Sequence, residues 1–201
     1  RIKVGITICE DIWYKEPADA ARRVGAELLI NLNASPFHRG KHKERWQVLA
    51  DRATEQSIPM IYVNQVGGQD ELVFDGGSFA VNADGELAMV APDFEEGCFD
   101  LSVERTVRGI EIAQGVTATA LSDVAAVWQA LVLGVRDYVE KNGFPGVVLG
   151  LSGGIDSAVT LAVAVDALGA DRVQAVMMPF KYTADMSVED AGEQALSLIH
   201  I

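Results

Sequence analysis

With 201 residues, 49% of them hydrophobic and 22% charged, and a mean hydropathy of +0.17, the chain has the material for a packed core, which excludes global disorder. The 16 basic residues against 29 acidic ones leave a formal charge of −13, which repels a phosphate backbone and excludes a general nucleic-acid binder. There is no apolar run near the roughly 18 residues of a spanning helix and no basic-then-apolar leader, and two cysteines are too few for a disulfide scaffold, so a soluble cytoplasmic α/β protein is expected.

Strand-like and helix-like patterns alternate along the chain. Residues 4–8 read as a strand ending at Cys9, and residues 17–24 as a helix that opens near Pro17 and stops at Gly25. A second apolar strand over 27–31 leads into a polar loop over 33–42. Residues 43–56 carry Trp46, Leu49, Ala50 and Ala53 at helical spacing. A third strand spans 58–63, and residues 74–90 form two strands around the Asp84-Gly85 hairpin signal. Residues 98–103 read as a short closing strand with Cys98 in the core, and residues 104–118 as a linker without period. Beyond it come a long helix over 121–141, a short buried strand over 146–151, a helix over 157–168 and a strand over 173–178. Neither end carries a start or stop signal, so a piece of a longer protein is expected.

The turn between the strand over 146–151 and the helix that follows carries Gly150, Leu151, Ser152, Gly153, Gly154, Ile155, Asp156 and Ser157. Paired glycines let backbone N–H groups approach an anion, the two serines add hydroxyl donors, and the helix aims its positive end at the same place. Asp156 beside bound phosphates calls for an intervening cation such as Mg2+. No Gly-Lys-Ser/Thr follows, so this is not the familiar NTPase P-loop. The plain alternative is an ordinary Gly-rich βα turn.

Ser152-Gly-Gly-Ile-Asp-Ser157 resembles the pyrophosphate loop of the N-type ATP pyrophosphatases, which adenylate a substrate oxygen and release pyrophosphate. Met178-Pro-Phe-Lys-Tyr-Thr183 resembles the segment after the second strand in the NAD synthetase branch, with Thr183-Ala184 where that branch commonly has two serines.

Cys9 is followed by Glu10-Asp11-Ile12-Trp13. A lone Cys after an apolar strand is most often a small buried hydrophobe; a nucleophile needs exposure, a base and an oxyanion donor. The segment resembles the nucleophile segment of the nitrilase superfamily, in its glutamine amidotransferase branch. That resemblance implies a Glu-Lys-Cys triad whose Glu and Lys stand upstream of the residues present here, with Cys9 as the nucleophile. Asn31-Leu-Asn-Ala-Ser35-Pro-Phe-His-Arg-Gly-Lys41 matches the segment that holds glutamine in that branch, at Ser35 and Lys41. Ser35 is expected to bond the carboxylate or the amine of glutamine and Lys41 the carboxylate. Glu10 is expected to pair with the α-ammonium and to offer its N–H to the oxyanion. A solvated basic loop is the alternative. The run Tyr62-Val-Asn-Gln-Val-Gly-Gly-Gln-Asp-Glu-Leu-Val-Phe-Asp-Gly-Gly-Ser78 also resembles this branch and reads as scaffold near the site. His38 and His42 read as a surface pair.

A nitrilase-type glutaminase followed by a pyrophosphate loop resembles the glutamine-dependent NAD synthetase family. The resemblance implies the C-terminal part of a nitrilase-like α/β sandwich over residues 1–105 and a linker over 106–120. The start of a Rossmann-like adenine nucleotide hydrolase domain follows over 121–201. It implies amidation of nicotinic acid adenine dinucleotide to NAD with glutamine as nitrogen donor, ATP and Mg2+, no prosthetic group and no nucleic-acid or membrane partner. A homo-oligomeric parent protein is implied, with this piece inactive alone. Amidation of another adenylated carboxylate, or a non-catalytic nucleotide-binding fragment, are the other readings.

Overall fold

A computed structural model of the chain describes residues 1–179 and 185–198. It divides into two compact units, Arg1–Gly67 with Val73–Val127, and Gly68–Leu72 with Trp128–Ile201.

The first unit is built on a five-stranded sheet. Its parallel part is β1 (Val4–Ile8), β2 (Leu28–Asn33) and β3 (Met60–Asn64), joined through α1 (Lys15–Arg23) and α2 (Lys41–Gln56). Parallel neighbours need such crossovers, and apolar strands separated by helical patterns supply them. After the short strands β4 (Val66–Gln69) and β5 (Leu72–Asp75), the strands β6 (Phe79–Val81) and β7 (Leu87–Val90) extend the sheet antiparallel, giving the order β1-β2-β3-β6-β7. The Asp84-Gly85 turn is where the pattern predicts it, with Gly85 at φ +83°.

Side-chain alternation divides the sheet into two faces. Thr7, Asn31, Tyr62 and Phe79 stand in one transverse row by register, and all four are buried. On this face Leu29, Met60 and Val81 pack with Leu49 and Ala53 of α2 and Ala18 of α1. On the other face Leu28, Ala80 and Met89 pack with Ile112, while Val4, Ile6 and Ile8 of the edge strand stay exposed.

Five expectations need correction. Residues 98–103 are not a strand: it starts at Val103, as β8 (Val103–Thr106), paired with β9 (Gly109–Ile112). Cys98 is exposed, because Phe99 beside it takes the apolar contact. The segment 104–118 therefore contains a hairpin, and Ile110 and Ile112 are buried; its short strands break the alternation with Gly, Thr and charge and conceal the pattern. The strand over 27–31 begins and ends later, at Leu28 and Asn33, and Trp46 of α2 is 42% exposed while Arg45 turns inward.

The second unit holds the parallel pair β10 (Val147–Leu151) and β11 (Val173–Met177), linked by α4 (Ile155–Leu168). α3 (Asp123–Lys141) contributes Val132, and α5 (Asp185–Leu198) contributes Ala191. Leu151, Leu161, Val173 and Ala191 form its core. No helix among the described residues is long and apolar enough to cross a membrane.

Candidate active site and nucleotide loop

Cys9 sits where β1 breaks into a 3-10 turn over Cys9–Trp13, with φ +49°. A left-handed backbone at a non-glycine residue costs on the order of 1–3 kcal/mol and persists only where its surroundings hold it. Here Asp11 Oδ2 accepts the N–H of Ile8 at 2.9 Å, and buried Ile12 anchors the turn. The Asn31 amide, itself bonded to Thr7 Oγ1 at 3.0 Å, donates to the Cys9 carbonyl at 3.4 Å. The thiol is thus carried at the carboxyl end of a parallel strand, half-buried, with exposed Glu10 next to it.

The loop after β2 brings Ser35 and Lys41 to the same end. Ser35 is held through its N–H, which donates to Asn64 Oδ1 at 2.9 Å, and its carbonyl, which accepts from Asn64 Nδ2 at 3.2 Å. Lys41 opens α2; its Nζ lies 4.5 Å above the Trp13 ring and 2.7 Å from Glu44 Oε2. The Lys41 hydrogen bond keeps the Glu44 carboxyl below its ordinary value. The cation–π contact ties the loop to the turn that carries Cys9. Glu10 makes no comparable contact with Ser35 or Lys41 among the described hydrogen bonds.

Three residues without an assigned task in the sequence build the floor. Arg45 of α2, 2% exposed, pairs with Asp75, 4% exposed, at 2.8 and 2.9 Å. Asn64 also donates to Asp75 Oδ1 and to the Gly76 carbonyl, both at 3.2 Å. Asn64 and Asp75 lie in the run that resembled scaffold. Arg45 was detectable as the residue one turn before Leu49, on the apolar face of α2.

A cavity of about 350 Å3 adjoins this floor at Asp75 and is walled by Phe37, His42, Phe79, Asp93 and Phe94. Its walls include neither Cys9, Ser35 nor Lys41, and its His42 Nε2 already meets Asp93 Oδ1 at 3.1 Å. With no cysteine in its lining, it is a poorer candidate for thiol chemistry than the Cys9 turn. His38 is exposed while His42 turns onto Asp93, so the two do not form a surface pair; among the described residues no three His, Cys, Asp or Glu gather as a metal site.

In the second unit the residues from Gly150 to Ser157 leave the carboxyl end of β10. Gly153 has φ +77°, and a Cβ there would run into the Ser187 carbonyl. Ser157 Oγ accepts the Ser152 N–H at 3.2 Å and donates to the Gly154 carbonyl at 2.9 Å; Ser152 Oγ accepts the Gly154 N–H at 3.3 Å. These bonds hold the two hydroxyls 3.1 Å apart, at the start of α4, where first-turn N–H groups have no intrahelical acceptor. Leu151, Ser152, Met178, Pro179, Ser187 and Val188 enclose a cavity of about 170 Å3. Asp156 is exposed in the first turn of α4. This donor set suits a phosphate chain, and one carboxylate suits an Mg2+ whose other ligands are phosphate oxygens. Residues 180–184, which include most of the Met-Pro-Phe-Lys-Tyr-Thr segment, lie outside the described residues.

Residues 1–111 match the carbon-nitrogen hydrolase family. The chain belongs to that family. Residues 127–199 match the NAD synthase family, so the hydrolase segment precedes a second one of different type. The chain is 49% identical to the glutamine-dependent NAD(+) synthetase of Acinetobacter baylyi, over 96% of its own length and 35% of that protein's. It is 39% identical to the protein of the same description from Aquifex aeolicus, covering 98% of this chain and 40% of the other. A solved glutamine-dependent NAD+ synthetase from Acinetobacter baumannii, in complex with adenosine diphosphate, superposes with a TM-score of 0.91 at 49% identity. That match covers 97% of this chain and 37% of that one. The Cytophaga hutchinsonii synthetase, at 20% identity and a TM-score of 0.72, shares the fold. The carbon-nitrogen hydrolase chain described here thus spans little more than a third of the curated relatives it matches.

Proposed function

We propose that this chain is the segment of a cytoplasmic, homo-oligomeric glutamine-dependent NAD synthetase that carries the glutaminase nucleophile and the ATP-binding loop. The observation that carries the reading is the order of the two sites in one chain. The strained Cys9 turn meets the Ser35–Lys41 loop, and a serine- and glycine-lined helix start follows at residues 150–157. We assign residues 1–105 to the glutaminase part and 121–201 to the synthetase part, with 106–120 between them.

In the first reaction the Cys9 sulfur attacks the side-chain amide carbon of glutamine, and ammonia leaves after taking up a proton. Water then hydrolyses the thioester to glutamate and regenerates the thiol. Lys41 and Ser35 hold the amino acid, and the N–H of Glu10 faces the developing oxyanion while its carboxylate pairs with the α-ammonium. The base and second cation of a Glu-Lys-Cys triad would come from the rest of the protein.

In the second reaction Gly150, Leu151, Ser152, Gly153, Gly154, Ile155, Asp156 and Ser157 hold ATP by its phosphates. The carboxylate of nicotinic acid adenine dinucleotide attacks the α-phosphorus, pyrophosphate leaves, and ammonia displaces AMP from the acyl adenylate to give NAD. Mg2+, when bound beside Asp156, offsets the repulsion between that carboxylate and the phosphates.

The test follows NAD formation in the full-length protein with Mg-ATP and either glutamine or ammonium. Cys9→Ala is expected to abolish glutamine-driven synthesis and to retain ammonium-driven synthesis. No NAD from either nitrogen source in the unmutated protein would discard nicotinic acid adenine dinucleotide as the acceptor.

A further inference from the structure

The peptide group between Cys9 and Glu10 has two polar ends, and the reaction proposed above uses one of them: the Glu10 N–H, which faces the developing oxyanion. A trans peptide is planar, with its C=O and N–H pointing in opposite directions. Whatever holds the Cys9 carbonyl therefore also aims the Glu10 N–H. Glu10 is the second residue of the 3-10 turn over Cys9–Trp13, where an N–H has no acceptor within the turn itself.

The side chain on the Cys9 carbonyl is Asn31, which stands opposite Thr7 in the β1–β2 register and is 0% exposed. Its amide has two N–H bonds to give and gives them to two acceptors, Thr7 Oγ1 at 3.0 Å and the Cys9 carbonyl at 3.4 Å. The opposite orientation of this amide, with Oδ1 against the Cys9 carbonyl, is blocked by Asn33. Asn33 Nδ2 meets the main-chain carbonyls of Asn31 at 2.9 Å and of Val63 at 3.2 Å, groups that only accept, so its donor end is fixed there. The same nitrogen donates to Asn31 Oδ1 at 2.7 Å. Reversing Asn31 would set donor against donor at Asn33 and acceptor against acceptor at Cys9, leaving buried groups unpaired. The orientation is thus handed on from the β3 backbone through Asn33 and Asn31 to the Cys9 carbonyl.

We propose that Asn31 is a positioning residue for the oxyanion donor: by holding the Cys9 carbonyl in one direction it holds the Glu10 N–H in the other, toward the oxygen that takes up charge when the Cys9 sulfur attacks. Asn31 acts through the backbone of Cys9, not on its sulfur. Its contribution is felt where an oxyanion forms, in attack on the glutamine amide and again in hydrolysis of the thioester. It therefore favours the transition states over bound glutamine. This inference rests on the glutaminase reading of Cys9.

The experiment uses the full-length protein and two variants. Asn31→Ala removes both amide bonds. Asn31→Thr keeps a β-branched residue in the strand and a hydroxyl that can bond Thr7 across the pair, on a side chain one bond shorter that falls short of the Cys9 carbonyl. Both should lower kcat for glutamine hydrolysis about tenfold to hundredfold. KM for glutamine should stay within about twofold, and ammonium-driven NAD synthesis should be unaltered. Alkylation of Cys9 by iodoacetamide should keep its rate, because displacement at that carbon builds no oxyanion. A kcat for Asn31→Thr equal to that of the unmutated protein would assign Asn31 to strand pairing and overturn the inference. Alkylation or ammonium-driven synthesis that falls in step with kcat would also overturn it, by showing that the thiol or the fold itself is displaced. Each of these results leaves the Cys9 reading intact. Glutamine-driven synthesis that survives Cys9→Ala would overturn that reading, and the inference with it.

Discussion

Cys9 and Gly153 both adopt left-handed backbone, for different reasons. Cys9 bears a side chain that must leave the strand line, and the strain is held by Asp11, Ile12 and Asn31 around it. Gly153 has no room for a side chain, since a Cβ would meet the Ser187 carbonyl. Gly153→Ala combines that collision with an unfavourable φ and should displace the loop. Its expected signature is a loss of about tenfold or more in NAD formation from both nitrogen sources, with glutamine hydrolysis spared, read as KM for ATP and kcat. Asp75→Asn acts on the other unit: it leaves the buried Arg45 charge uncompensated. A loss of about 3–5 kcal/mol in urea-unfolding free energy is expected. A loss below about 1 kcal/mol would put the pair among ordinary surface contacts.

The sheet of the first unit is tied at its amino-terminal end by a polar clasp between elements far apart in sequence. Arg105 of β8 bonds Glu27 at 2.7 and 3.1 Å, and Glu27 also accepts the Lys3 N–H at 3.0 Å. The Arg105 hydrogen bond, then that of Lys3, lowers the Glu27 carboxyl from 4.5 to about 2. A carboxyl held below its unfolded value stabilises the fold above about pH 4.5, and that contribution disappears as the pH falls toward 2. Glu27→Gln should therefore be less stable than the unmutated chain at neutral pH and converge with it through that window, as followed by thermal melts. Parallel curves at all pH values would show that the clasp adds nothing. The pairing was not legible beforehand: Glu27 read as the first residue of an apolar strand and Arg105 lay in a segment without period, and only the β8–β9 pairing brings them together. The parallel strands, in contrast, were legible from their unbroken apolar runs, with ends displaced by one or two residues where polar Asn33 and Asn64 extend β2 and β3 into the site.

At the scale of the whole molecule, the face of the first sheet that carries Val4, Ile6 and Ile8, at 47, 65 and 64% exposure, has apolar side chains beside a strand edge that is unpaired among the described residues. Such an edge pairs with other chains. The 201-residue chain by itself should self-associate with rising concentration in light scattering, and Ile6→Lys should suppress this. It is also expected to make no NAD, which a purified sample supplied with both substrates, Mg-ATP and ammonium would check.

Local patterns in the chain were enough to mark the strand before Cys9, the Ser35–Lys41 loop, the Gly-rich turn at residues 150–157 and the alternation that makes an α/β protein, because each depends on neighbours in sequence. Chain order alone did not reveal that Lys41 lies over Trp13, that Arg45 turns inward to Asp75, or that Cys98 faces solvent. Those outcomes depend on which buried charges find partners and which apolar side chains find cover, and residues tens of positions away supply both.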